Sequence, residues 1–407
     1  MDAVVLAAGE GKRLHPLTLT RPKPMIPVAG KPILAWVLDG LKKAGVKKAV
    51  VVVGYRREII EGYFGSSYDG VTLEYVVQKK QTGTGDAVAR AEGRVKGDFL
   101  VVNGDVIVDS SDVKAFAAVK GGDAALCVSE VQDPSRFGVV EVVGGRIKSL
   151  VEKPERPKSN LVNAGLYRFN EDVFKRLSSV GTSPRGEIEL TDAVRDIIKD
   201  GDVKAYRLVN KPLEVGLPWD MLNVNEKLMK DQTFQVSKKA ELEEHATLKG
   251  PVSVGEGTRI RSGVYVEGPV LIGKNCDLGP NCYIRPYTVI GDKCRVGNAV
   301  EIKNSIIMNH THVGHLSYVG DSVIGEHCNF GAGTKVANLR FDDGEVHVEI
   351  QGKMMGSGRR KLGCIMGDYV KTGINVSIMP GRCIYPHATV EAGSVVKHNI
   401  TAQEPQN

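Results

Sequence analysis

The front part of the chain alternates short apolar stretches with stretches whose apolar residues recur at helical spacing. Residues 3–6, 48–53, 73–77 and 99–102 fit buried strands, and residues 33–44 fit an amphipathic helix. Strands that alternate with helices predict an α/β fold with a mostly parallel sheet covered on both faces. Ligands of such sheets bind beyond the carboxyl ends of the strands, so we expect a ligand site at the loops after residues 6 and 102.

The hydrophobic pattern changes after a predicted amphipathic helix at residues 219–234. From about residue 245 an aliphatic or aromatic residue recurs every six positions, often followed by glycine. The positions in phase are Val254, Ile260, Ile272, Leu278, Ile284, Ile290, Val296, Ile302, Val313, Val319, Phe330, Ile378, Ile384, Val390 and Val396. This period predicts a parallel β-helix, in which each hexapeptide is one side of a three-sided coil. Residues 339–361 break the period and are predicted to form a loop extruded from the coil.

Composition narrows the class of protein. The chain has 407 residues, 42% of them hydrophobic and 25% charged, with a net charge of +6. That size favours two domains, and the mild charge, with one dense basic run at 359–361, does not favour nucleic-acid binding. The sequence shows neither a signal peptide nor an apolar run of membrane-spanning length. Seven cysteines, an odd number, favour free thiols in the cytoplasm.

Three of those cysteines, Cys276, Cys282 and Cys294, are separated by 6 and 12 positions. Zinc motifs use spacings of about 2 to 4. Each cysteine lies two positions before an aliphatic repeat residue, so a place in the repeat is the better interpretation.

The loop after the first strand carries candidate phosphate-binding chemistry. Gly9 and Gly11 allow the backbone to approach a phosphate chain closely, although a glycine pair is more often a simple turn. Here Arg13 follows, and then Lys23 between two prolines. A cation on a stiff segment beside a glycine turn suits a triphosphate.

These motifs, G-x-G-x-R-L followed by P-K, resemble those of the sugar-nucleotide pyrophosphorylases. Over its whole length the chain is similar to the bifunctional bacterial N-acetylglucosamine-1-phosphate uridylyltransferases/glucosamine-1-phosphate acetyltransferases, and more so to archaeal sugar-1-phosphate nucleotidylyltransferase/acetyltransferases. The resemblance implies a Rossmann-like nucleotidyltransferase domain at residues 1–235 and a left-handed β-helix acyltransferase domain at residues 236–407. It also implies small-molecule substrates, Mg²⁺, acetyl-CoA as co-substrate and a homotrimer.

The resemblance assigns roles in the front domain. Arg13 and Lys23 would neutralise the triphosphate and the transition state of in-line attack by the sugar phosphate. The nucleotide, with a pyrimidine base, would be bound by Leu6, Gly9, Gly11, Gln78, Gln81, Gly83 and Thr84. The sugar would be bound by Gly138, Glu152, Lys153 and Asn163.

The resemblance also implies a metal site. Asp105, after the predicted strand 99–102, would hold Mg²⁺, although an acidic residue at such a place can instead cap the next helix. Glu214 stands where thymidylyltransferase relatives have the second metal ligand, an aspartate, and its side chain is one methylene longer. This departure leaves the metal geometry and the choice between uridine and thymidine open.

In the rear domain, the stretches around residues 301–303, 314–321, 329–334 and 338 resemble an acetyltransferase site. By that resemblance His315 is the general base toward the sugar's amino group, and Glu301 orients it. The alternative is a polar loop that merely contains His315. Sugar-phosphate and sugar contacts would come from Arg285, Lys303, Tyr318 and Asn329, and acetyl-CoA contacts from Ala332 and Asn338.

Three functions are compatible with this plan. The first is a bifunctional enzyme that forms a nucleotide sugar and pyrophosphate and also acetylates glucosamine 1-phosphate or galactosamine 1-phosphate. The second is a glucose-1-phosphate thymidylyl- or uridylyltransferase whose β-helix is structural or regulatory. The third is a non-enzymatic regulator. Intact Arg13, Lys23 and Asp105 argue against the third, and intact His315 and Tyr318 favour the first over the second.

Overall fold

The structure, a computed structural model, describes residues 1–135, 137–183, 186–230 and 232–401. It divides into two compact units. The first comprises Met1–Glu10, Pro22–Met25 and Pro32–Glu214, and the second comprises Gly11–Arg21, Ile26–Lys31 and the chain from Val215 onward. The domain boundary at residue 235 stays a prediction from the sequence.

The first unit is built on one ten-stranded sheet. Its strands, in spatial order, are Gly138–Val143, Arg146–Glu152, Val203–Arg207, Ala124–Glu130, Leu161–Phe169, Phe99–Asn103, Asp2–Ala7, Lys48–Val53, Val71–Val77 and Ser67–Tyr68. The four strands predicted from the sequence are confirmed, each within two residues of its predicted bounds. These four strands pair with one another in parallel.

The prediction of a mostly parallel sheet is wrong for the other half. Leu161–Phe169 runs antiparallel to both of its main neighbours, and Gly138–Val143 forms an antiparallel hairpin with Arg146–Glu152. The turn at Gly144 and Gly145, which both have positive φ, joins that hairpin without a crossover helix. The sheet is therefore mixed, with its parallel part on the side that carries the glycine loop.

Apolar side chains cover both faces of this sheet, as predicted. Along the first strand Ala3, Val5 and Ala7 pack into one buried cluster, and Val4 packs into another. This alternation follows from the two-residue repeat of a strand. The helices are Ile33–Lys43, Arg57–Phe64, Thr84–Ala89, Ser110–Ala117, Asp172–Ser179 and Leu190–Asp200, and short 3-10 turns occur at Lys12–Leu14, Leu17–Leu19 and Lys23–Met25.

The second unit begins its regular part with the helix Asp220–Lys230, which is shorter than the predicted 219–234. Three parallel sheets follow, and the chain visits them in turn, so that each strand pairs with the strand three places later. We call this arrangement the three-sheet stack. It fits the predicted β-helix, and the residues at the six-residue period are all buried.

The bounds of these short strands follow the hexapeptide repeat. The first sheet contains Glu241–Leu242, Arg259–Ile260, Asp277–Leu278, Arg295–Val296, His312–Val313, Asn329–Phe330, Lys371–Thr372 and Thr389–Val390. The second contains Thr247–Lys249, Tyr265–Glu267, Tyr283–Ile284, Glu301–Lys303, Tyr318–Gly320, Lys335–Val336, Ser377–Ile378 and Val395–Val396. The third contains Val252–Val254, Val270–Ile272, Thr288–Ile290, Ile306–Ile307, Val323–Ile324, Ile365–Met366 and Cys383–Ile384.

Residues 339–361 leave the stack, as predicted, and we call them the insert. Leu339 and Lys361 pair at its base. Within it His347–Ile350 and Lys353–Gly356 form an antiparallel hairpin, with the side chains of Val346 and Val348 buried. Among the residues that the structure describes, no helix is long and apolar enough to cross a membrane.

Candidate active sites

The loops after three parallel strands of the first unit meet at the carbonyl oxygen of Ala8. This oxygen accepts hydrogen bonds from the Tyr55 backbone nitrogen at 3.1 Å and from Gln81 Nε2 at 3.0 Å. A Cβ atom on Gly54 would lie 2.8 Å from the same oxygen, so glycine is needed there. Sequence reasoning missed Gly54. The predicted nucleotide-binding residue Gln81 thus lies against the glycine loop.

Lys23 and Asp105 form an ion pair beside the end of the sheet. Lys23 Nζ lies 2.5 Å from Asp105 Oδ2, with the Lys23 side chain only 10% exposed. Asp105 is fixed by the tight turn before it, because the Gly104 backbone nitrogen donates to Leu6 O at 2.9 Å. The helix-cap alternative is excluded, since the next helix is capped by Asp109, which accepts from the Ser111 backbone nitrogen.

The second predicted metal ligand, Glu214, lies on a strand that pairs with the residues directly after Asp105. It is paired with Val106, the residue after Asp105, in a short antiparallel ladder. In the part of the chain that the structure describes, no group of three or more His, Cys, Asp or Glu side chains is arranged to hold a metal ion. Asp105 and Glu214, one position apart in the register of this ladder, nevertheless offer the carboxylate type that Mg²⁺ takes, since Mg²⁺ commonly binds one or two carboxylates and completes its shell with phosphate and water.

Gln78, Gly83 and Thr84, predicted to bind nucleotide, contact protein groups in this structure. Gln78 Nε2 donates to Gly83 O at 3.0 Å and to Asp86 Oδ2 at 2.8 Å, which uses both of its amide protons. Burial opposes ionisation of Asp86, yet hydrogen bonds from Gln78 and neighbouring side chains hold the pKa of Asp86 below its ordinary value.

The glycine and threonine of this motif support a second loop. Gly83 has a φ of 112°, and a Cβ atom there would lie 2.3 Å from Ile188 O. Thr84 Oγ1 accepts from the Leu190 backbone nitrogen at 3.1 Å. Gly83 must therefore lack a side chain so that residues 188–190 can pack against this motif.

The predicted sugar pocket is brought together in the mixed part of the sheet. Gly138 pairs with Glu152 across a hairpin, and a Cβ atom on Gly138 would lie 2.9 Å from Glu152 Oε2 and 3.6 Å from Asn163 Cβ. Asn163 Oδ1 accepts from the Gly165 backbone nitrogen at 2.9 Å. Lys153, at the end of the hairpin, has Nζ 3.8 Å from Glu152 Oε1.

Gly11 and Arg13 belong to the segment that groups with the second unit. Gly11 O accepts from Thr18 Oγ1 at 2.9 Å, and the Arg13 side chain is exposed on a 3-10 turn. At the end of the same segment Arg21 is buried. It lies 2.5 Å from Asp368 and 3.2 Å from Glu326 of the three-sheet stack, so it anchors the segment.

Two of the predicted acetyltransferase residues, Glu301 and Tyr318, lie in one column of the second parallel sheet. Tyr283, Glu301 and Tyr318 are successive partners across its strands. Glu301 Oε1 accepts from Arg285 at 2.8 Å, and this hydrogen bond raises the pKa of Arg285. Among the described groups Glu301 pairs with Arg285 and makes no hydrogen bond to the ring of His315.

Asp321, which sequence reasoning did not assign to the site, organises the polar side chains next to this column. Its carboxylate is buried. It accepts from Asn338 Nδ2 at 2.6 Å and lies 3.4 Å from Lys303 Nζ. Asn338 Nδ2 also donates to the Tyr318 hydroxyl at 3.1 Å. Burial and, secondarily, Asp321 raise the pKa of Tyr318, so its phenol stays protonated.

His315 lies at the exposed corner between the first and second sheets. Its backbone oxygen accepts from the Gly333 nitrogen at 3.1 Å and from Ser317 Oγ at 2.7 Å, which fixes the corner. Asn329 is exposed on the first sheet, and the backbone oxygen of Ala332 accepts from Asn375 N at 2.8 Å. His315 thus lies at the corner where the second sheet begins, and Glu301 lies on that sheet.

The insert also reaches this cluster. Arg359, whose side chain is 14% exposed, has Nη2 3.8 Å from Asp321 and 3.7 Å from Glu226 of the helix Asp220–Lys230. Arg360 pairs with Asp343. The two arginines of the basic run at 359–361 are therefore engaged with carboxylates of the protein.

Comparison with known proteins supports both halves of this description. The nucleotidyl transferase family model matches residues 2–231, and the GMPPB C-terminal domain model matches residues 266–401. A crystal structure of UDP-glucose pyrophosphorylase complexed with UDP-glucose is similar with a TM-score of 0.53 and 27% identity, covering 57% of this chain and 99% of that one.

Curated relatives extend over nearly the whole chain. The bifunctional protein GlmU of Methanococcus maripaludis is 48% identical over 98% of this chain and 95% of the relative. The bifunctional sugar-1-phosphate nucleotidylyltransferase/acetyltransferase of Sulfurisphaera tokodaii is 40% identical over 98% of each. The family predicted from the motifs is confirmed: the chain belongs to the nucleotidyl transferase family and, within it, to the bifunctional sugar-1-phosphate nucleotidylyltransferase/acetyltransferases.

Proposed function

We propose that the first unit joins a nucleoside monophosphate from UTP or dTTP to a sugar 1-phosphate and releases pyrophosphate, and that the three-sheet stack acetylates glucosamine 1-phosphate or galactosamine 1-phosphate with acetyl-CoA. The observation that carries the first half is the pair of Lys23 and Asp105, a buried cation and a carboxylate at the end of the sheet. A panel of nucleotides and sugar 1-phosphates scored for pyrophosphate release tests it directly.

The nucleotidyl transfer needs positioning and charge rather than a covalent intermediate. The sugar phosphate oxygen attacks the α-phosphorus in line, the bond to the β-phosphate breaks, and pyrophosphate leaves with the electron pair. Lys23 would shift its hydrogen bonds from Asp105 to the phosphates as charge develops there. Arg13 and the backbone of Gly9 and Gly11 would bind the triphosphate.

Asp105 and Glu214 would hold Mg²⁺, which would supply positive charge to offset the negative charge of the phosphates. Asp105 Oδ1 remains for this role while Oδ2 faces Lys23. Glu214, on the neighbouring strand of the ladder, would supply the second carboxylate in place of an aspartate.

The sugar would occupy the space beside Gly138, Glu152 and Asn163. The absence of a side chain on Gly138 leaves the Glu152 carboxylate accessible from this side. Carboxylate and amide groups match the donors and acceptors of sugar hydroxyls. Lys153 adds a cation at the rim.

Pyrimidine nucleotides should be preferred over purine nucleotides. Both amide protons of Gln78 are used within the protein, so its Oε1 is left to accept, which suits the N3–H of uracil or thymine. Initial rates of pyrophosphate release with UTP, dTTP, ATP and GTP at equal concentration measure this preference. Faster turnover with ATP or GTP than with both pyrimidine nucleotides would contradict the assignment.

For acetyl transfer we propose that His315 accepts a proton from the sugar's amino group as the nitrogen attacks the thioester carbonyl. The C–S bond then breaks, and coenzyme A leaves as a thiolate that takes up the proton from His315. Since Asn338 already donates both amide protons, it offers its oxygen as an acceptor, whereas the Tyr318 hydroxyl receives one hydrogen bond and keeps its own proton to donate. Arg285 and Lys303 would bind the sugar phosphate, and Asn329 and Ala332 would complete the sugar and acetyl-CoA contacts.

The three-sheet stack is proposed to wind left-handed and to assemble as a homotrimer through residues 245–398. The side chains of His315 and Asn329 are exposed on the single chain, and a site enclosed from water needs a neighbour to cover them. Multi-angle light scattering of the full chain should give three times the monomer mass. A stable monomer at micromolar concentration would reject the trimer.

The cytoplasm is the proposed compartment. All seven cysteines are free and buried in the structure, and burial raises the pKa of Cys282, Cys328, Cys364 and Cys383 to about 12. Buried protonated thiols are poor nucleophiles and suit a reducing environment.

A further inference from the structure

The buried carboxylate of Asp321 lies near two cations, one at each of its oxygens. Lys303 Nζ lies 3.4 Å from Asp321 Oδ2, and Arg359 Nη2 lies 3.8 Å from Asp321 Oδ1. A carboxylate removed from water needs compensating positive charge. The same carboxylate accepts from Asn338 Nδ2 at 2.6 Å, so its state bears directly on the proposed acetyl site.

Arg359 is held in place by several protein groups. Its Nη1 donates to Asn223 Oδ1, on the helix that precedes the stack, and its Nε donates to Lys361 O at 3.3 Å. Its Nη2 also lies 3.7 Å from Glu226 Oε1 of the same helix. The guanidinium cannot leave Asp321 without losing these contacts, so Arg359 is a fixed counter-charge.

Lys303 is held less firmly than Arg359. Among the described residues, Asp321 is the carboxylate with which the Lys303 ammonium pairs, and their separation of 3.4 Å is longer than most N–H···O hydrogen bonds. The Lys303 side chain is 22% exposed. An ammonium on a flexible stem can turn from a carboxylate to a phosphate. Lys303 is therefore the cation of this network that is free to move to a ligand.

The fixed cation determines what this movement costs. When Lys303 turns to a phosphate, Asp321 keeps a cationic partner because Arg359 stays. Without Arg359 the departure of the lysine would leave a buried carboxylate uncompensated, which is strongly unfavourable. Lys303 would then remain on Asp321 and would bind a phosphate weakly.

We infer that Arg359 of the insert is a positioning residue for the amino-sugar 1-phosphate in acetyl transfer, acting through Asp321 and Lys303. It compensates Asp321 so that Lys303 can bind the phosphate of the sugar. The inference rests on the proposed acetyl transfer, in which Lys303 has that role. It gives the insert a function in binding the acceptor substrate, although Arg359 itself contacts protein groups.

Arg359→Gln should raise the KM for the amino-sugar 1-phosphate about tenfold, with a smaller change in kcat, because Lys303 is then retained by Asp321. The KM for acetyl-CoA, and pyrophosphate release with UTP, should not change. Arg359→Lys keeps the positive charge and should recover most of the loss. Arg360→Gln is the matched control, since Arg360 pairs with Asp343 at the surface, and it should leave all values unchanged.

Glu226→Gln distinguishes compensation of charge from a mechanical tie between the insert and the helix. This variant keeps an acceptor oxygen toward Arg359 and Asn304 but removes the negative charge that competes with Asp321 for the guanidinium. If Arg359 acts by its charge, the KM for the sugar phosphate should stay the same or fall. If Arg359 acts only as a tie, the weaker contact should raise that KM.

An unchanged KM for the sugar phosphate in Arg359→Gln would overturn the inference. Equal rises in the KM of both substrates would also overturn it, as would a rise in Glu226→Gln. If Arg359→Gln does not fold, Arg359→Lys and Glu226→Gln carry the test, and a raised KM in the latter is the contrary result. Wild-type protein that transferred no acetyl group would instead refute the proposed acetyl transfer, and the inference with it.

Discussion

Asp105→Ala and Lys23→Ala should each lower pyrophosphate release by about a hundredfold or more, since each removes a charge placed at the phosphates in the transition state. The two side chains lie 2.5 Å apart, and Lys23 is buried. Loss of the carboxylate would remove a proposed Mg²⁺ ligand and leave Lys23 without its partner. Loss of the lysine would leave the developing charge on the leaving pyrophosphate uncompensated. Steady-state pyrophosphate release with a saturating sugar 1-phosphate measures both effects.

The control is a second lysine–aspartate pair of the same unit. Lys42 and Asp69 pair at the surface, with side chains 46% and 62% exposed. Exposed pairs contribute little to stability, so Lys42→Ala should retain both activities. Acetyl transfer should survive in all three variants. Near-normal pyrophosphate release in Asp105→Ala or Lys23→Ala would show that the metal or triphosphate site is misassigned.

Metal dependence of the Asp105 effect adds a separate readout. If Asp105 binds Mg²⁺, Asp105→Asn should require a higher Mg²⁺ concentration for half-maximal rate than the wild type, because an amide oxygen carries no charge. Lys23→Ala should show a smaller change in this requirement. The pair of measurements separates a metal ligand from a residue that only positions Lys23.

The six-residue repeat was readable from the sequence because burial in the stack depends on one position in six. Val296, Ile302 and Val313 are fully buried for this reason, and only residues that fit the interior keep the period. The first four strands were readable for a similar reason. A strand covered on both faces, such as Lys48–Val53, is apolar from its second residue onward and can be recognised without knowing its partner.

Side-chain roles set by distant contacts were not readable. Gly83 and Thr84 support residues 188–190, and nothing at their own positions indicates that partner. Asp321 accepts a hydrogen bond from Asn338 and lies near Arg359, which belongs to the insert. The contact with Arg359 depends on how the insert packs against the stack. The charged and glycine-rich sequence of the insert does not predict that packing. The antiparallel half of the front sheet was missed because no strand after residue 102 was predicted from its pattern.

His315→Ala should lower acetyl transfer from acetyl-CoA by about a hundredfold to ten-thousandfold, the usual cost of removing a general base. The attacking nitrogen must lose a proton as the tetrahedral centre forms, and an imidazole nitrogen is a common acceptor for it. Nucleotidyl transfer and the mass of the assembly should not change. The matched control is His312→Ala, which removes an exposed histidine three positions earlier on the first sheet and should keep full activity.

A variant of Glu301 can distinguish a general-base role of His315 from a merely structural one. In the structure its carboxylate is bound by Arg285 at 2.8 Å and makes no bond to the His315 ring within the described chain, so its influence on the base is indirect until substrate binds. Glu301→Ala should therefore lose less acetyl transfer than His315→Ala, and its pH–rate profile should shift because the carboxylate stabilises nearby positive charge. Equal losses with unchanged profiles would favour a structural role for both. If the wild-type protein released no free coenzyme A with glucosamine 1-phosphate or galactosamine 1-phosphate, the three-sheet stack would have no catalytic function. Release that is lost in His315→Ala and kept in His312→Ala would establish His315 as the base.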